Sequence, residues 1–299
     1  MTVAMVSRDP GELPAWVEEG IAATGIALRC RRCTDAEALV AFATDAEVLW
    51  FCGPNLCITA EVLPRLPRCR AIFRSGSGLD SIPIEAAQAR GIAVHNTPES
   101  ISESVAEQAV ALLLALVRQV TVQDRRVRTG LWADSEPLQR WHMSRRCLGL
   151  VGYGGIARHV ERMLAGFNLC VLHHDPFSPK STPLPELLRT ADFVSLHCPL
   201  TNETRHLIGQ AELALMKSDA LLVNTARGAV IDEAALIEAL REKRIGGAAL
   251  DVLESEPPAP DNPLLGFDNV ILSPHIAAFS ADFERNFWQA SINKLKTLC

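Results

Sequence analysis

The sequence predicts an α/β protein that is built from two doubly wound parallel sheets. Short apolar segments alternate with helical segments along the chain, a pattern typical of parallel sheets covered by helices on both faces. These segments fall into two series, separated by a long apolar helical segment. At 299 residues the chain is also longer than one hydrophobic core usually grows, so two domains are expected.

The predicted strands are apolar and bounded by polar, glycine or proline residues. Five form the first series: Thr2 to Ser7, Ile26 to Cys30, Glu47 to Cys52, Ala71 to Ser75 and Ile92 to His95. Six form the second series: Cys147 to Val151, Leu169 to His173, Phe193 to Leu196, Leu221 to Asn224, Gly247 to Leu250 and Val270 to Leu272. Six strands suit a complete dinucleotide-binding sheet.

A helix is predicted to begin at Ser104, because its hydroxyl and the Glu107 carboxylate can satisfy the free amides of a first turn. Its continuation, Gln108 to Val120, is apolar nearly all round. Such a helix is buried, either against a partner domain or subunit or inside its own core.

Two segments are candidate hinges, Asn96-Thr97-Pro98 and Pro274-His275-Ile276-Ala277-Ala278. They predict a discontinuous substrate domain of residues 1–98 plus 279–299 and an inserted domain of residues 99–278. A cleft is expected between the two domains.

The composition favours a soluble, cytoplasmic protein that acts on a small molecule. The formal charge is -6 and no basic face is evident, which argues against a nucleic-acid or membrane partner. The first residues lack the pattern of a signal peptide, and the longest apolar run, Ala109 to Val117, is too short to span a bilayer. Nine scattered cysteines indicate reduced thiols. Cys30 and Cys33 form one C-x-x-C without further ligands nearby, so no metal is expected.

The most specific local pattern is a G-x-G-x-x-A loop between a strand and a helical segment. Gly152 permits a tight turn, Gly154 lets a pyrophosphate approach the backbone, and Ala157 allows close packing of helix on strand. The amides of Gly155 and Ile156 then begin a helix whose N-terminus favours phosphates. Glycine-rich turns also occur for packing alone, so the interpretation of this loop as a dinucleotide site depends on the residues around it.

That context is a carboxylate, Asp175, which follows the next predicted strand 23 residues after Gly152. An acid at this position can accept hydrogen bonds from the adenosine ribose, and it would repel the extra phosphate of NADP, so NAD is the expected cofactor. The alternative is an Asp that initiates a turn before Pro176. His173 and His174 point to opposite faces of their strand and are interpreted as structural.

Three motifs follow three later strands, at the side where open α/β sheets build their sites. They are Asn224-Thr225-Ala226-Arg227-Gly228, Asp251-Val252-Leu253-Glu254-Ser255-Glu256-Pro257 and Ser273-Pro274-His275. Taken singly, the Arg, Glu and His could be a surface turn residue, a solvated acid and a satisfied histidine. Together, at three strand ends, they indicate a catalytic set.

The sequence resembles the D-isomer-specific 2-hydroxyacid dehydrogenases, which include phosphoglycerate, glycerate and D-lactate dehydrogenases and the glyoxylate/hydroxypyruvate reductases. The resemblance covers almost the whole chain and includes further motifs in the family's order: Gly76-Ser77-Gly78-Leu79-Asp80, Asn96-Thr97-Pro98, Ser104 to Glu107, Gly130-Leu131-Trp132 and His197-Cys198-Pro199-Leu200. It implies a flavodoxin-like substrate domain, a Rossmann NAD-binding domain, a homodimer, and hydride transfer between NAD(H) and a 2-hydroxy/2-oxo acid pair.

The resemblance also implies roles for single residues. Arg227 would grip the substrate carboxylate, and His275 would protonate the carbonyl oxygen while Glu256 holds the imidazole. Backbone amides around Ser77 and Gly78 would bind the same carboxylate. Four further residues would line the cofactor, although Asp251 could instead only cap its strand: Cys198, Thr225, Ala226 and Asp251.

Three points stay open in the sequence. Gly155 stands where many relatives place Arg or Lys, so a positive charge near the phosphates is missing. Arg74 could bind a second anionic group or be a surface residue. The competing function is an NAD(H)-sensing binding protein similar to the corepressors of this family, whereas the Arg/Glu/His set gives no support to a formate or phosphite dehydrogenase.

Overall fold

The fold is known from a computed structural model that describes residues 1–53, 55, 57–132 and 142–298. Its strands are β1 Thr2–Met5, β2 Ala27–Cys30, β3 Val48–Cys52, β4 Ala71–Ser75, β5 Ala93–Asn96, β6 Cys147–Val151, β7 Cys170–His174, β8 Phe193–Leu196, β9 Leu221–Asn224, β10 Gly247–Leu250 and β11 Val270–Leu272. Its helices are α1 Ala15–Ala22, α2 Ala36–Ala43, α3 Ile84–Ala89, α4 Ser102–Arg118, α5 Val120–Arg128, α6 Gly155–Leu164, α7 Leu184–Thr190, α8 Gln210–Leu215, α9 Glu233–Arg241 and α10 Phe283–Thr297.

The chain divides into two compact units, Met1–Ile101 with Phe279–Cys299, and Ser102–Ala278. The ninth cysteine, Cys299, lies outside the described residues. Each unit contains one sheet whose strands pair only in parallel. The predicted fold class, two parallel-sheet α/β units, is therefore confirmed.

The sheet of the first unit has the order β2-β1-β3-β4-β5, which is the flavodoxin-like arrangement. Successive residues of β1 enter two cores, because side chains alternate across a strand. Val3 and Met5 pack with residues of α1 and α10, whereas Ala4 packs with residues of α2. Both faces are covered, which is why the central strand β3 is apolar and buried at every position.

A buried polar chain fixes the end of β4 in the first unit. Trp50 Nε1 donates to Ser75 Oγ at 2.8 Å, and Ser75 Oγ lies 2.7 Å from Ser291 Oγ on α10. Ser291 Oγ in turn donates to the carbonyl oxygen of Phe287 at 2.7 Å. All members of this chain have partners, so it adds rigidity without leaving a buried group unpaired. The segment that follows Ser75 carries Ser77 and Gly78.

The sheet of the second unit has the order β11-β10-β9-β8-β6-β7. The chain changes its direction of winding between β6 and β8, and ligands of such sheets bind where the strand order reverses. Buried apolar residues cover both faces of this sheet. The glycine loop after β6 therefore lies at the topological switch point.

Helix α4 begins at Ser102, two residues before the predicted start, and ends at Arg118. It breaks at Gln119, whose φ is 54°, before α5 begins. Its buried residues recur every three or four positions and pack against α6 and the sheet of the second unit, so one face of α4 belongs to the core of its own unit. Among the described residues no single helix is long and apolar enough to cross a membrane, and α4 and α5 meet those limits only as a pair bent by 60°.

Candidate functional site

The glycine loop after β6 has a geometry that larger residues would disturb. Gly152 has φ +84°, and a Cβ there would lie 2.6 Å from the amide nitrogen of Cys198. Gly154 is the N-cap of α6, and a Cβ added to it would meet no described atom within 4 Å. Ala157 is fully buried in the following turn. The loop is closed toward the sheet and open on its outer side, as a pyrophosphate at the N-terminus of α6 requires.

Asp175 follows β7 and contacts the glycine loop. One of its carboxylate oxygens accepts a hydrogen bond from the Tyr153 amide at 2.7 Å, and the other accepts from the Phe177 amide at 2.9 Å. The hydrogen bond from the Phe177 amide belongs to the turn that the alternative interpretation predicts, in which Asp175 initiates a turn before Pro176. Asp175 therefore has this structural role as well. Each oxygen keeps a second lone pair, and the carboxylate can still accept hydrogen bonds from a ribose.

Two buried side chains follow β8 and β9, next to the glycine loop in the sheet order. Burial raises the pKa of the Cys198 thiol to about 11, so this thiol is neutral. Oγ1 of Thr225 is buried and has no hydrogen-bond partner among the described residues. A buried hydroxyl without a partner is costly, and a polar group of a bound ligand would satisfy it. The open glycine loop, the strand-end carboxylate and this hydroxyl fit a dinucleotide.

His275 and Glu256 form a hydrogen-bonded pair near the ends of β11 and β10. Nδ1 of His275 lies 2.8 Å from Oε2 of Glu256, and both side chains are partly exposed to solvent. Oε1 of Glu256 accepts a hydrogen bond from the Leu253 amide at 3.0 Å. His275 has φ +54°, a left-handed conformation that is uncommon for non-glycine residues. The pair leaves Nε2 of His275 as the ring nitrogen that can exchange a proton.

The segment that carries His275 is held by Asp251, at the end of β10. The Asp251 carboxylate accepts hydrogen bonds from Ser273 Oγ at 2.5 Å, the Ile276 amide at 3.1 Å and the Ala277 amide at 2.9 Å. The His275 amide donates to the Asp251 carbonyl oxygen at 2.8 Å. Asp251 is only 1% exposed. The sequence predicts Asp251 beside the cofactor, and the structure gives its carboxylate a positioning task that the sequence did not reveal.

Arg227 follows β9, and its loop packs directly on the loop that carries Glu256. The Arg227 side chain is half-buried and donates to the Ala226 carbonyl oxygen at 2.7 Å. Asn224 donates to the carbonyl oxygen of Arg227 at 2.9 Å. At the next residue, Gly228, a Cβ would lie 1.9 Å from the carbonyl carbon and oxygen of Leu253. The structure thus brings the loops of Arg227, Glu256 and His275 together within the second unit.

In the first unit, Ser77 and Gly78 lie in a loop, and the carbonyl oxygens of both residues accept hydrogen bonds from side chains. The Ser77 carbonyl accepts a hydrogen bond from Asn96 Nδ2 at 2.7 Å, and the Gly78 carbonyl accepts one from the Arg74 guanidinium. Gly76 has φ +96°, and its amide donates to Thr97 Oγ1 at 2.9 Å. No described residue accepts a hydrogen bond from the amides of Ser77 or Gly78. Arg74 is half-buried and bonded to the loop rather than free on the surface.

His197, after β8, is a titratable residue whose burial the sequence did not reveal. Both imidazole nitrogens are buried without a hydrogen-bond partner among the described residues, although part of the residue surface is exposed. Burial lowers the pKa of His197 from 6.5 to about 4. The imidazole is therefore neutral throughout the physiological pH range. The signal in the sequence was the His197-Cys198-Pro199-Leu200 motif, but burial depends on how the glycine loop covers it.

The pKa of His197 predicts a pH dependence of stability. Between about pH 6.5 and pH 4 the unfolded chain binds a proton on His197 that the folded protein does not. The free energy of unfolding should therefore fall as the pH is lowered through this range. His197→Leu is expected to remove up to about 3 kcal/mol of that fall, measured by urea unfolding at neutral pH and at about pH 4. An equally steep fall in the variant would contradict the prediction.

Comparison with known proteins agrees with this geometry. Residues 110–277 match the family model of the D-isomer specific 2-hydroxyacid dehydrogenase, NAD binding domain. A glyoxylate reductase from Korarchaeum cryptofilum is 40% identical over 286 residues, which cover 90% of this chain and 81% of that protein.

Two solved structures are similar over the whole chain. The D-lactate dehydrogenase from Aquifex aeolicus, complexed with NAD and lactic acid, is 28% identical with a TM-score of 0.85 and covers 100% of this chain and 95% of its own. An acyclic imino acid reductase in complex with NADPH and D-Arg is 27% identical with a TM-score of 0.89. The match covers 100% of this chain and 97% of the reductase chain. The predicted family, reaction class and NAD cofactor are confirmed. This chain belongs to the D-isomer-specific 2-hydroxyacid dehydrogenase family and is an oxidoreductase that interconverts 2-hydroxy and 2-oxo acids with NAD(H).

Proposed function

We propose that this enzyme reduces a small 2-oxo acid, such as glyoxylate or hydroxypyruvate, to the D-2-hydroxy acid, with Arg227, Glu256 and His275 as its catalytic residues. The observation that carries the assignment is the 2.8 Å pair of His275 and Glu256 at two neighbouring strand ends. Bound NADH supplies the hydride. The substrates are those named for the glyoxylate reductases and the hydroxypyruvate reductase among its relatives.

His275 acts as the general acid of the reduction. Its Nδ1 is bonded to Glu256, so Nε2 donates the proton to the carbonyl oxygen. The Glu256 carboxylate fixes the orientation of the ring through its contact with Nδ1. In the oxidation direction the neutral imidazole takes the hydroxyl proton back. Asp251 holds the segment around His275 through three hydrogen bonds from its neighbours.

The substrate carboxylate is bound by Arg227 and by the amides of Ser77 and Gly78. A guanidinium is planar, permanently charged and bidentate, which suits a carboxylate. The Ser77 and Gly78 carbonyl oxygens accept hydrogen bonds from Asn96 and Arg74, while no described residue accepts a hydrogen bond from the two amides. Arg227 orients the substrate carbonyl toward the cofactor.

The cofactor-binding residues proposed here lie in the second unit. The pyrophosphate binds at the N-terminus of α6, where Gly155 and Ile156 offer free amides. The adenosine ribose would hydrogen-bond to Asp175, and the hydroxyl of Thr225 would donate to a polar group of the bound cofactor. The remaining proposed contacts are Gly152, Gly154, Cys198, Ala226 and Asp251.

Replacing Asp175 by serine is expected to change the choice of cofactor. The carboxylate accepts hydrogen bonds from the ribose of NADH and repels the extra phosphate of NADPH. The Kd for NADH should rise about tenfold or more, while the Kd for NADPH should stay constant or fall. Fluorescence titration with both cofactors measures the change. An unchanged ratio of the two Kd values would show that Asp175 serves only its turn and the glycine loop.

The proposed function is tested by measuring NADH oxidation with a panel of 2-oxo acids. Glyoxylate, hydroxypyruvate, pyruvate, phosphohydroxypyruvate and a bulkier 2-oxo acid form the panel. Turnover that is fastest with glyoxylate or hydroxypyruvate supports the proposal. Tight NADH binding without turnover of any of them would contradict it and favour an NAD(H) sensor.

We also propose that the enzyme is a cytoplasmic homodimer. Large apolar side chains are exposed on α5 and just after it, with Val120 53%, Val127 48%, Leu131 45% and Trp132 77% exposed. Several exposed large apolar side chains along one short segment of the chain favour a protein partner. The eight described cysteines carry free thiols, which is typical of a reducing compartment. Light scattering of the purified protein tests the dimer.

A further inference from the structure

The loop that carries Glu256 is held by a second carboxylate outside the catalytic set. Glu233 is the first residue of α9 and is half-buried. Its Oε2 accepts a hydrogen bond from the amide of Glu254 at 3.0 Å, and its Oε1 accepts one from Asn262 Nδ2 at 2.8 Å. Glu233 therefore bridges the two ends of the segment from Glu254 to Asn262, and Glu256 lies within that segment.

Only a carboxylate satisfies both donors that face Glu233. The Glu254 amide and Asn262 Nδ2 each need an acceptor, and the two carboxylate oxygens supply one each. Glutamine has a single acceptor oxygen, so its NH2 group would oppose one of the two donors. Asn262 is unable to reverse its amide without loss, because its Oδ1 already accepts a hydrogen bond from the Leu264 amide at 2.9 Å.

The bond to Glu254 acts on the turn that orients Glu256. The Leu253 amide donates to Oε1 of Glu256 at 3.0 Å, and the neighbouring amide, that of Glu254, donates to Glu233. The amides of Leu253 and Glu254 thus both donate to carboxylates, and Oε2 of Glu256 is left to contact His275. If the Glu254 amide lost its acceptor, this turn would lose the contact that ties it to α9.

We propose that Glu233 is a positioning residue, which locks the loop of Glu256 onto α9 so that the Glu256 carboxylate meets His275. This inference rests on the proposed roles of Glu256 and His275. Glu233 itself touches neither substrate nor cofactor in this assignment. Its effect is on the pH at which the His275 imidazole takes up a proton.

The test exchanges the donor and acceptor between Glu233 and Asn262. In E233Q, the NH2 group of Gln faces a donor of the protein, which leaves both without an acceptor. In N262D, the new carboxylate faces the carboxylate of Glu233 and repels it. In the double variant E233Q/N262D, the Gln NH2 group donates to the new carboxylate, the Glu254 amide keeps the Gln oxygen, and the Leu264 amide keeps its acceptor. The double variant also keeps the net charge of the wild type.

Two measurements follow the change. NMR titration of histidine-labelled full-length protein, with the His275 signal identified by H275N, gives the midpoint of imidazole protonation. The pH profile of kcat in the reductive direction reports protonation of the same imidazole during turnover. E233Q is expected to shift the His275 midpoint away from that of the wild type, because the imidazole loses part of its contact with Glu256. The kcat should fall about tenfold, while the Kd for NADH changes little. The double variant should restore both midpoint and kcat.

The inference is overturned if the His275 midpoint in folded E233Q equals that of the wild type, or if the folded double variant fails to restore it. A loss of melting temperature without a shift of the midpoint would also overturn it, because Glu233 would then only stabilise the loop. The NMR titration requires no turnover, so it decides the inference even if the panel of acids is silent. Full activity of H275A, by contrast, would refute the proposed function.

Discussion

His275→Ala is expected to slow the reduction of the substrate, with kcat lowered by about 10²–10⁴-fold, the usual contribution of a general acid. The imidazole is the only group of the His275–Glu256 pair that can carry a proton to the substrate oxygen. Its loss removes proton transfer but leaves the glycine loop, Asp175 and Thr225 untouched. The Kd for NADH should therefore change by less than about threefold. Steady-state kinetics and fluorescence titration measure the two quantities separately.

His159→Ala is the matched control for this variant. His159 lies on α6, and among the described residues its ring bonds only to Arg162 on the same helix, so kcat should stay within about twofold of the wild type. Glu256→Gln keeps the shape of the side chain but removes its charge, so a smaller loss than in His275→Ala is expected, with an altered pH profile. If His275→Ala turns over as fast as the control, His275 transfers no proton and the assignment of the catalytic set is wrong.

Most strands of the fold could be predicted because they are buried on both faces. β4, β6, β8, β9, β10 and β11 have the predicted limits. β1, β2 and β3 differ by one or two residues at one end, and β5 and β7 differ by one residue at both ends. A central strand of a doubly wound sheet is apolar at nearly every position, which makes it visible as a short run between turn residues. The start of α4 was less well predicted, because the Ser and Glu of the predicted first turn lie inside the helix.

The parts of the site that lie at strand ends could also be predicted, since the direction of the parallel sheet brings them to one edge. The contacts between loops could not. The hydrogen bonds of Asp251 connect it to residues 22 to 26 positions later in the chain, and those of Glu233 reach 21 and 29 positions ahead. No local pattern encodes such distances. These acids look like solvated or capping residues until the loops are folded onto each other.

Gly228→Ala is expected to lower kcat about 100-fold, although the added group is one methyl and touches no substrate. The new Cβ would lie 1.9 Å from the carbonyl carbon and oxygen of Leu253 and 2.4 Å from the amide nitrogen of Glu254. These are backbone atoms, so the clash is relieved only by moving one loop away from the other. One loop carries Arg227 and the other Glu256, and a displacement of about 1 Å in a catalytic group costs about 100-fold in rate.

Gly166→Ala provides the control for the change of residue type, because a Cβ there would meet no described atom within 4 Å. It should keep the activity and melting temperature of the wild type.

In Gly228→Ala, overpacking should also lower the free energy of unfolding by about 1–3 kcal/mol. The kinetic loss should exceed what this destabilisation explains, because the folded fraction stays near one at assay temperature. Full activity in folded Gly228→Ala would mean that the two loops separate without moving Arg227 relative to Glu256. The close contact at Gly228 would then concern stability alone, and the positioning of Glu256 would depend on Glu233 and the turn at Leu253.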